Sequence, residues 1–155
     1  MDIKVEGLKE LEQALLELNK EYGPKSAGSA VRPAIRKAIT PAVAALESAT
    51  PRDTGKLAES IKLRIRKPTK KMIKGAGGHH KESHILTATL GYEWRKPSLW
   101  NRALATEFGN SDTPQQAPLR RTLNSHSGSI LETFSRELAE SIEKTATRLA
   151  KKRSK

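Results

Sequence analysis

The hydrophobic period of this sequence changes at residues 50–55, and no other feature constrains the fold as strongly. Before this point, apolar residues recur at helical spacing over about residues 29–49. After it, Ile61, Leu63 and Ile65 alternate with basic residues, which is the period of a strand with one buried face. The chain therefore passes from a helix to a strand within a few residues and contains both kinds of element.

An earlier helix precedes this segment, and leucines mark its buried face. They recur at positions 8, 11, 15 and 18, with lysine and glutamate between them. Gly23-Pro24 is a typical helix stop, with glycine past the end and proline beyond it. Inside the second predicted helix, Pro41 removes a backbone hydrogen bond at a cost of ~3 kcal/mol, so we expect a kink or a break there.

A second strand is predicted where apolar residues alternate with threonine and glycine: Leu86, Ala88, Leu90 and Tyr92. We expect the two strands to form an antiparallel pair, joined by a long basic loop at residues 67–83. Ordinary hairpin loops have ~2–5 residues. This loop is therefore either functional or disordered in isolation.

The C-terminal third of the chain is predicted to contain two helices separated by a polar turn. Residues 98–108 predict a short helix that Gly109 closes, and residues 110–116 predict the turn. Ser129-Ile130-Leu131-Glu132 is a capping box, which predicts the start of a final helix. The apolar stripe of that helix comprises Leu131, Phe134, Leu138, Ile142, Thr145 and Leu149.

Together these patterns predict an α+β fold in which a small antiparallel sheet packs against two N-terminal helices and a long C-terminal helix. The length suits a single domain over residues 1–150, followed by a basic tail at residues 151–155 that frays. Apolar residues make up 35% of the chain and aromatic residues 4%. We therefore expect a thin core that gains stability from neighbouring subunits in an assembly.

Charge and cysteine content narrow the possible partners and chemistry. The net charge of +12 favours polyanionic partners such as nucleic acid or an acidic protein. The absence of cysteine excludes disulfides, thiolate metal sites and a cysteine nucleophile.

Acidic residues interrupt residues 1–20, so we expect no signal peptide, and we expect synthesis in the cytoplasm. No stretch approaches the ~20 apolar residues that span a bilayer, so we expect no membrane partner.

The triplet Asp53-Thr54-Gly55 has two interpretations. An aspartyl-protease aspartate lies on a tight turn within a hydrophobic sheet, beside a second carboxylate that shares its proton. Here Pro51-Arg52 precede the triplet, and a neighbouring arginine favours plain ionisation of the carboxyl group. We favour the second interpretation, a turn between helix and strand in which the glycine supplies a positive φ.

The histidines do not predict a metal site. His79, His80 and His84 lie in or beside the basic loop, where lysines repel a cation, and His126 lies far along the chain. No Ser/His/Asp arrangement or pair of carboxylates has the spacing of a catalytic site. We expect a protein without catalytic residues, cofactor or metal.

Basic residues on the first strand and its loop are the main candidates for contact with DNA or with another subunit: Lys62, Arg64, Arg66, Lys70, Lys71 and Lys74. Such a face suits phosphate contact, but it lacks the aromatic residues on which bases stack. A solvated basic face that prevents aggregation of the strand explains it equally well. Trp94 and Trp100 are either interface anchors or partly buried core residues.

Three blocks of the sequence resemble a known family. The first is Val5-Glu6-Gly7-Leu8-Lys9-Glu10-Leu11, and the second is Ala49-Thr50-Pro51-Arg52-Asp53-Thr54-Gly55-Lys56-Leu57-Ala58-Glu59-Ser60-Ile61. The third is Ala105-Thr106-Glu107-Phe108-Gly109, followed by Ala117-Pro118-Leu119-Arg120-Arg121-Thr122-Leu123. In this order they resemble the tail-completion, or neck, protein family of long-tailed lambdoid-type bacteriophages, the gene-product-ten-like minor tail components. The motif residues are Pro51, Asp53, Thr54, Gly55, Glu107, Phe108, Gly109 and Pro118.

The resemblance implies a structural virion protein without catalysis. Such a protein forms a homo-oligomeric ring, a hexamer, at the top of the phage tail. Its implied partners are the tail-terminator and tail-tube proteins, the head-closure protein, and DNA or the tape-measure protein in the channel. We expect the loop at residues 67–83 to become ordered against a neighbouring subunit or ring during assembly. Leu119 and Arg121 stand where the family usually has an aromatic residue and a second proline.

The composition also allows a different class of function. A non-specific nucleic-acid-binding protein would bind duplex DNA as a monomer, with an affinity that falls steeply with salt. Binding to DNA at low and moderate salt, compared with association with tail components, separates the two hypotheses.

Overall fold

The computed structural model describes residues 7–70, 86–93 and 95–153. Its helices are α1 (Leu8–Tyr22), α2 (Pro24–Ala49), α3 (Lys56–Glu59), α4 (Pro97–Phe108) and α5 (Pro118–Arg153). Its strands, β1 (Ile61–Arg66) and β2 (Thr87–Tyr92), form a two-stranded antiparallel sheet. The predicted α+β class is confirmed, with two N-terminal helices and a long C-terminal helix.

The end of α1 follows the predicted glycine stop. Gly23 has φ +81°, and its backbone N–H donates to the carbonyl of Asn19 at 2.8 Å. Proline is well tolerated in the first turn of a helix because its missing N–H has no intrahelical partner there. Helix α2 therefore begins at Pro24, five residues before the predicted start at Ser29.

Helix α2 continues through Pro41, so the expected break is wrong. A proline at this position leaves the carbonyl of Lys37 without its intrahelical donor. The Pro41 ring lies on the exposed side of the helix, whereas Ala38, Ala42 and Leu46 are all buried. Burial of the residues on both sides of the proline offsets the lost hydrogen bond.

Helix α5 begins at Pro118, so the predicted start at the capping box is also wrong. The residues Ser129-Ile130-Leu131-Glu132 lie inside a helix of 36 residues. The same helix continues to Arg153, so residues 151–153 of the predicted fraying tail are helical. The physical reason for the early start is a cap from another helix, described below.

The described residues divide into two compact units, and the first comprises residues 7–38, 65–70, 86–88 and 129–153. In its described part, α1, α2 and α5 contribute a core of Leu18, Ala30, Val31, Ala34, Leu138 and Ile142. The predicted stripe of α5 is confirmed, since Phe134 and Leu149 pack on this core and Thr145 is buried. Lys37 and Glu137 form an ion pair in the same unit.

The second unit comprises residues 39–64 and 89–128. Its buried apolar residues include Leu46, Leu57 and Ile61, and Leu46 is the largest fully buried apolar side chain among the described residues. Alanine is the commonest residue of the described core in both units, which agrees with the thin core expected from the composition. None of the described helices is both long enough and apolar enough to cross a membrane.

Candidate functional site

The turn at residues 50–55 is built as predicted. Gly55 has φ +74°, a conformation that favours glycine because it lacks a Cβ atom. Thr50 is buried, and its hydroxyl donates to the carbonyl of Leu46 at 2.7 Å and shares a hydrogen bond of 2.9 Å with the Tyr92 hydroxyl. The half-buried Pro51 follows Thr50. Between this turn and β1 lies the short helix α3, which the sequence pattern did not predict.

Asp53 and Thr54 are exposed side chains of this turn. The Asp53 carboxylate lies 3.4 Å from the Arg102 guanidinium of α4. An aspartyl-protease aspartate instead shares a proton with a second carboxylate. The environment of Asp53 is therefore that of a turn residue paired with a surface arginine.

Glu107 is the most informative residue of the site. It is 7% exposed, and its two carboxylate oxygens accept hydrogen bonds from the backbone N–H groups of Leu119 (3.0 Å) and Arg120 (3.1 Å). These N–H groups belong to the first turn of α5, where they have no intrahelical partner. A carboxylate at a helix N-terminus is also favoured by the helix dipole. Glu107 therefore caps α5 from α4 and explains why α5 begins at Pro118.

The loop between α4 and α5 is hydrogen-bonded to the last turn of α4. The carbonyl of Thr106 accepts the N–H groups of Gln116 (3.0 Å) and Ala117 (3.2 Å). Gly109 has φ +78°, and a Cβ atom there would lie 3.1 Å from the backbone nitrogen of Gln115. Ala117 itself adopts φ +49° immediately before Pro118. The segments around Glu107-Phe108-Gly109 and Ala117-Pro118-Leu119, separate in sequence, thus form one structural element.

Tyr92 is hydrogen-bonded to Thr50 of the turn at residues 50–55 and is influenced by the charge of Glu107. Burial raises the pKa of the Tyr92 phenol above 10.0, the hydrogen bond with Thr50 opposes that shift, and the charge of Glu107 adds to it. Tyr92 therefore remains a neutral hydrogen-bonding group near neutral pH. The second and third blocks of the resemblance both lie within the second unit.

An apolar groove lies beside these contacts. Its walls are β2, α4 and the first turns of α5, and it encloses about 870 Å³. On α4, the residues that face it recur at helical spacing from Trp100 to Phe108. Five large hydrophobic side chains are exposed among the described residues, and four of them line this groove: Trp100, Leu104, Phe108 and Leu123.

Phe108 has the largest exposure of this set, at 61%. The Arg120 guanidinium lies 5.5 Å from the centroid of its ring, within the range of a cation–π contact. Trp100 is 39% exposed, which supports the hypothesis of an interface anchor over that of a core residue. Trp94 lies outside the described residues.

The predicted basic residues of β1 differ in their surroundings. Lys62 is exposed, whereas Arg64 is half-buried and forms an ion pair of 2.6 Å with Glu93. Part of the positive charge on this face is therefore neutralised within the protein. Arg66 and Lys70 are exposed, and Lys71 and Lys74 lie outside the described residues with most of the loop at residues 67–83.

The described residues contain no group of three or more histidine, cysteine, aspartate or glutamate side chains arranged to hold a metal ion. His126 is positioned within α5, where its Nδ1 atom lies 3.0 Å from the Thr122 carbonyl and 3.0 Å from the Ser125 hydroxyl. The other histidines lie outside the described residues.

In comparisons with known proteins, no family model, curated protein or solved structure matches this chain. Function is therefore inferred from the geometry of its own residues and from the resemblance of its motifs.

Proposed function

We propose that this chain is a structural protein of the neck of a long-tailed bacteriophage. Copies of it form a ring, which the resemblance implies to be a hexamer. This ring completes the tail and joins it to the head-closure ring around the DNA channel. One observation carries the proposal. Glu107, in one block of the resemblance, caps the helix that Pro118 of the same block opens, and Tyr92, which lines the same groove as Glu107, is hydrogen-bonded to Thr50 of another block.

This arrangement supports the resemblance, because the two halves of the third block contact each other although they are separate in sequence. The backbone angles and hydrogen bonds give physical roles to residues of the second and third blocks. Gly55 and Gly109 permit backbone conformations with positive φ, and Glu107 supplies a helix cap. All these roles are structural, which suits a protein that joins other proteins.

The apolar groove supports an assembly role independently. Soluble monomers rarely leave large apolar side chains clustered at the surface, and such clusters mark interaction sites. Here Trp100, Leu104 and Phe108 share one face of α4 and lie together in the groove. Aromatic residues in a partly closed pocket are typical anchors of protein interfaces.

Tails that lack this chain provide the direct test. Purified, gold-labelled chain is added to tails prepared from a phage in which the corresponding gene is disrupted, and the label is located by electron microscopy. We expect the label at the head-proximal end of each tail, together with restored joining to heads. A Glu47→Gln variant, changed at an exposed position of α2, serves as a control and should behave like the native chain. Label distributed along the tail, or absent from it, would contradict the proposal.

The alternative is a non-specific nucleic-acid-binding protein. The exposed side chains of Lys62, Arg66 and Lys70 favour it, whereas the pairing of Arg64 with Glu93 weakens it. This alternative predicts that the isolated chain binds duplex DNA. A plot of log K against the logarithm of the salt concentration should then have a slope of about −0.9 for each phosphate neutralised. Tight binding by a monomer that never associates with tails would favour the alternative.

A further inference from the structure

We infer that the apolar groove of one copy receives helix α1 of a second copy of this chain. The groove is the surface lined by Trp100, Leu104, Phe108 and Leu123. The remaining exposed large hydrophobic side chain among the described residues is Leu16 on α1, at 56% exposure. The buried residue Leu18 faces the core of the first unit, so Leu16 lies on a different face of the helix from that core.

Charge complementarity identifies α1 as the occupant. The helix contains four glutamates and two lysines, in a chain whose net charge is +12. Glu12 lies one turn before Leu16, Glu17 follows it, and both are exposed. At the edge of the groove, Arg120 is exposed and basic, and its guanidinium lies over the Phe108 ring. An acidic helix with a central leucine therefore matches an apolar groove with a basic edge.

The shape of the groove also suits a helix. Amphipathic helices commonly bind by placing apolar residues into a hydrophobic groove between other elements. The alternative of two grooves facing each other would bring the arginines of both copies together, with like charges opposed. Contact between two different surfaces avoids this repulsion.

A contact between α1 of one copy and the groove of the next is heterologous, since each copy presents one of each surface. Such contacts form a ring if the rotation between copies closes, and a filament if it does not. The inference deepens the proposed function by naming the contact between subunits, and its ring form rests on that proposal. Self-association through these two surfaces does not depend on any phage partner.

Complementation between two variants tests the contact. Leu16→Asp removes the apolar residue of α1, and Leu104→Asp places a charge in the groove. Both positions are exposed, and circular dichroism verifies that the variants fold. By light scattering, we expect the native chain to grow above its 17.1 kDa monomer mass as concentration rises. Each variant alone should self-associate at least about 30-fold more weakly, the loss expected for an interface hot spot.

The mixture of the two variants gives the decisive result. Each variant retains the surface that the other lacks, so an equimolar mixture should form one intact contact and stop at a dimer. A mixture that stays monomeric overturns the inference, as does a native chain that remains monomeric or a variant that assembles like the native chain.

Disulfide trapping provides a second measurement, because the native chain has no cysteine. Under mild oxidation, Leu16→Cys mixed with Leu104→Cys should form a mixed disulfide in preference to either homodimer. Glu10→Cys, exposed elsewhere on α1, is the matched control and should not crosslink to Leu104→Cys above the random level. Equal crosslinking by Glu10→Cys overturns the inference.

Failure of this inference is distinguishable from failure of the proposed function. If Leu16→Asp and Leu104→Asp still enter tails and restore joining to heads, the contact is wrong and the neck function stands. If the native chain assembles through these surfaces but never associates with tails, the contact stands and the neck function is wrong.

Discussion

The two compact units differ in how many large apolar side chains their described residues leave exposed: one in the first unit, Leu16, and four in the second. In the first unit, Leu18, Val31 and Leu138 are buried between helices. In the second unit, large apolar residues such as Leu104 and Phe108 are exposed in a groove. Of the six buried polar residues in the described part of the chain, five belong to the second unit: Thr50, Ser60, Thr106, Glu107 and Thr122. The second unit thus buries more polar groups and leaves more large apolar side chains at its surface.

The largest expected effect tests this difference directly. Leu138→Ala removes a buried leucine of the first unit and should lower the free energy of unfolding by about 2–5 kcal/mol, since it leaves a cavity. Leu104→Ala, the matched change in the groove, should cost under about 1 kcal/mol because the side chain is already 37% exposed. Denaturant unfolding measures both values. Similar costs for the two variants would mean that the groove is part of a core.

The next largest effect concerns Glu107, a buried polar residue of the second unit. Glu107→Ala leaves two N–H groups of α5 without their acceptor and should destabilise the chain by about 1.5–3 kcal/mol. Glu107→Gln retains one good acceptor oxygen and should cost roughly half as much. Glu140→Ala removes a carboxylate from an exposed i,i+4 pair on the same helix and should cost under about 0.5 kcal/mol. If Glu107→Ala cost no more than Glu140→Ala, the cap would be unimportant for stability.

Glu107 also shows where the sequence is informative and where it is not. The glycine stops at Gly23 and Gly109, the turn at Gly55 and the two strands were predictable, because each depends on residues adjacent in the chain. The start of α5 was not, because its cap is supplied by Glu107 on another helix. A proline at the first position of the helix was the one local signal for that start.

Pro41 illustrates a second limit of the sequence, in which tertiary burial overrides a local signal. Its intrinsic cost of ~3 kcal/mol predicts a break, but burial of the neighbouring face of α2 keeps the helix continuous. The groove was visible in sequence only as the helical spacing of Trp100, Leu104 and Phe108. Periodicity alone does not tell whether such a face is covered by the chain's own core or by a partner.

Glycine substitutions compare the backbones of the two units. Gly55→Ala forces a side chain into a left-handed conformation and should cost about 1–2 kcal/mol. The nearest atom to the new Cβ would be 3.9 Å away, so this cost comes from the backbone alone. Gly28→Ala, inside α2 with open space around it, should instead stabilise the chain by roughly 0.5–1 kcal/mol. Thermal unfolding that moves in the same direction for both variants would contradict the assigned turn geometry.

The smallest expected effect isolates one hydrogen bond of the second unit. A double-mutant cycle of Thr50→Val and Tyr92→Phe should give a coupling energy of about 0.5–1.5 kcal/mol.

Burial raises the pKa of Tyr92 from 10.0, which favours the neutral phenol in the folded state. The corresponding stability is fully present below pH 10.0 and is lost as pH rises towards the raised pKa of the folded state, because the unfolded chain releases its proton first. Tyr92→Phe should remove this part of the decline. If the stability of Tyr92→Phe fell equally steeply as pH rises, the decline would come from other ionisable groups. Tyr92 would then act only as a packing residue of the groove wall.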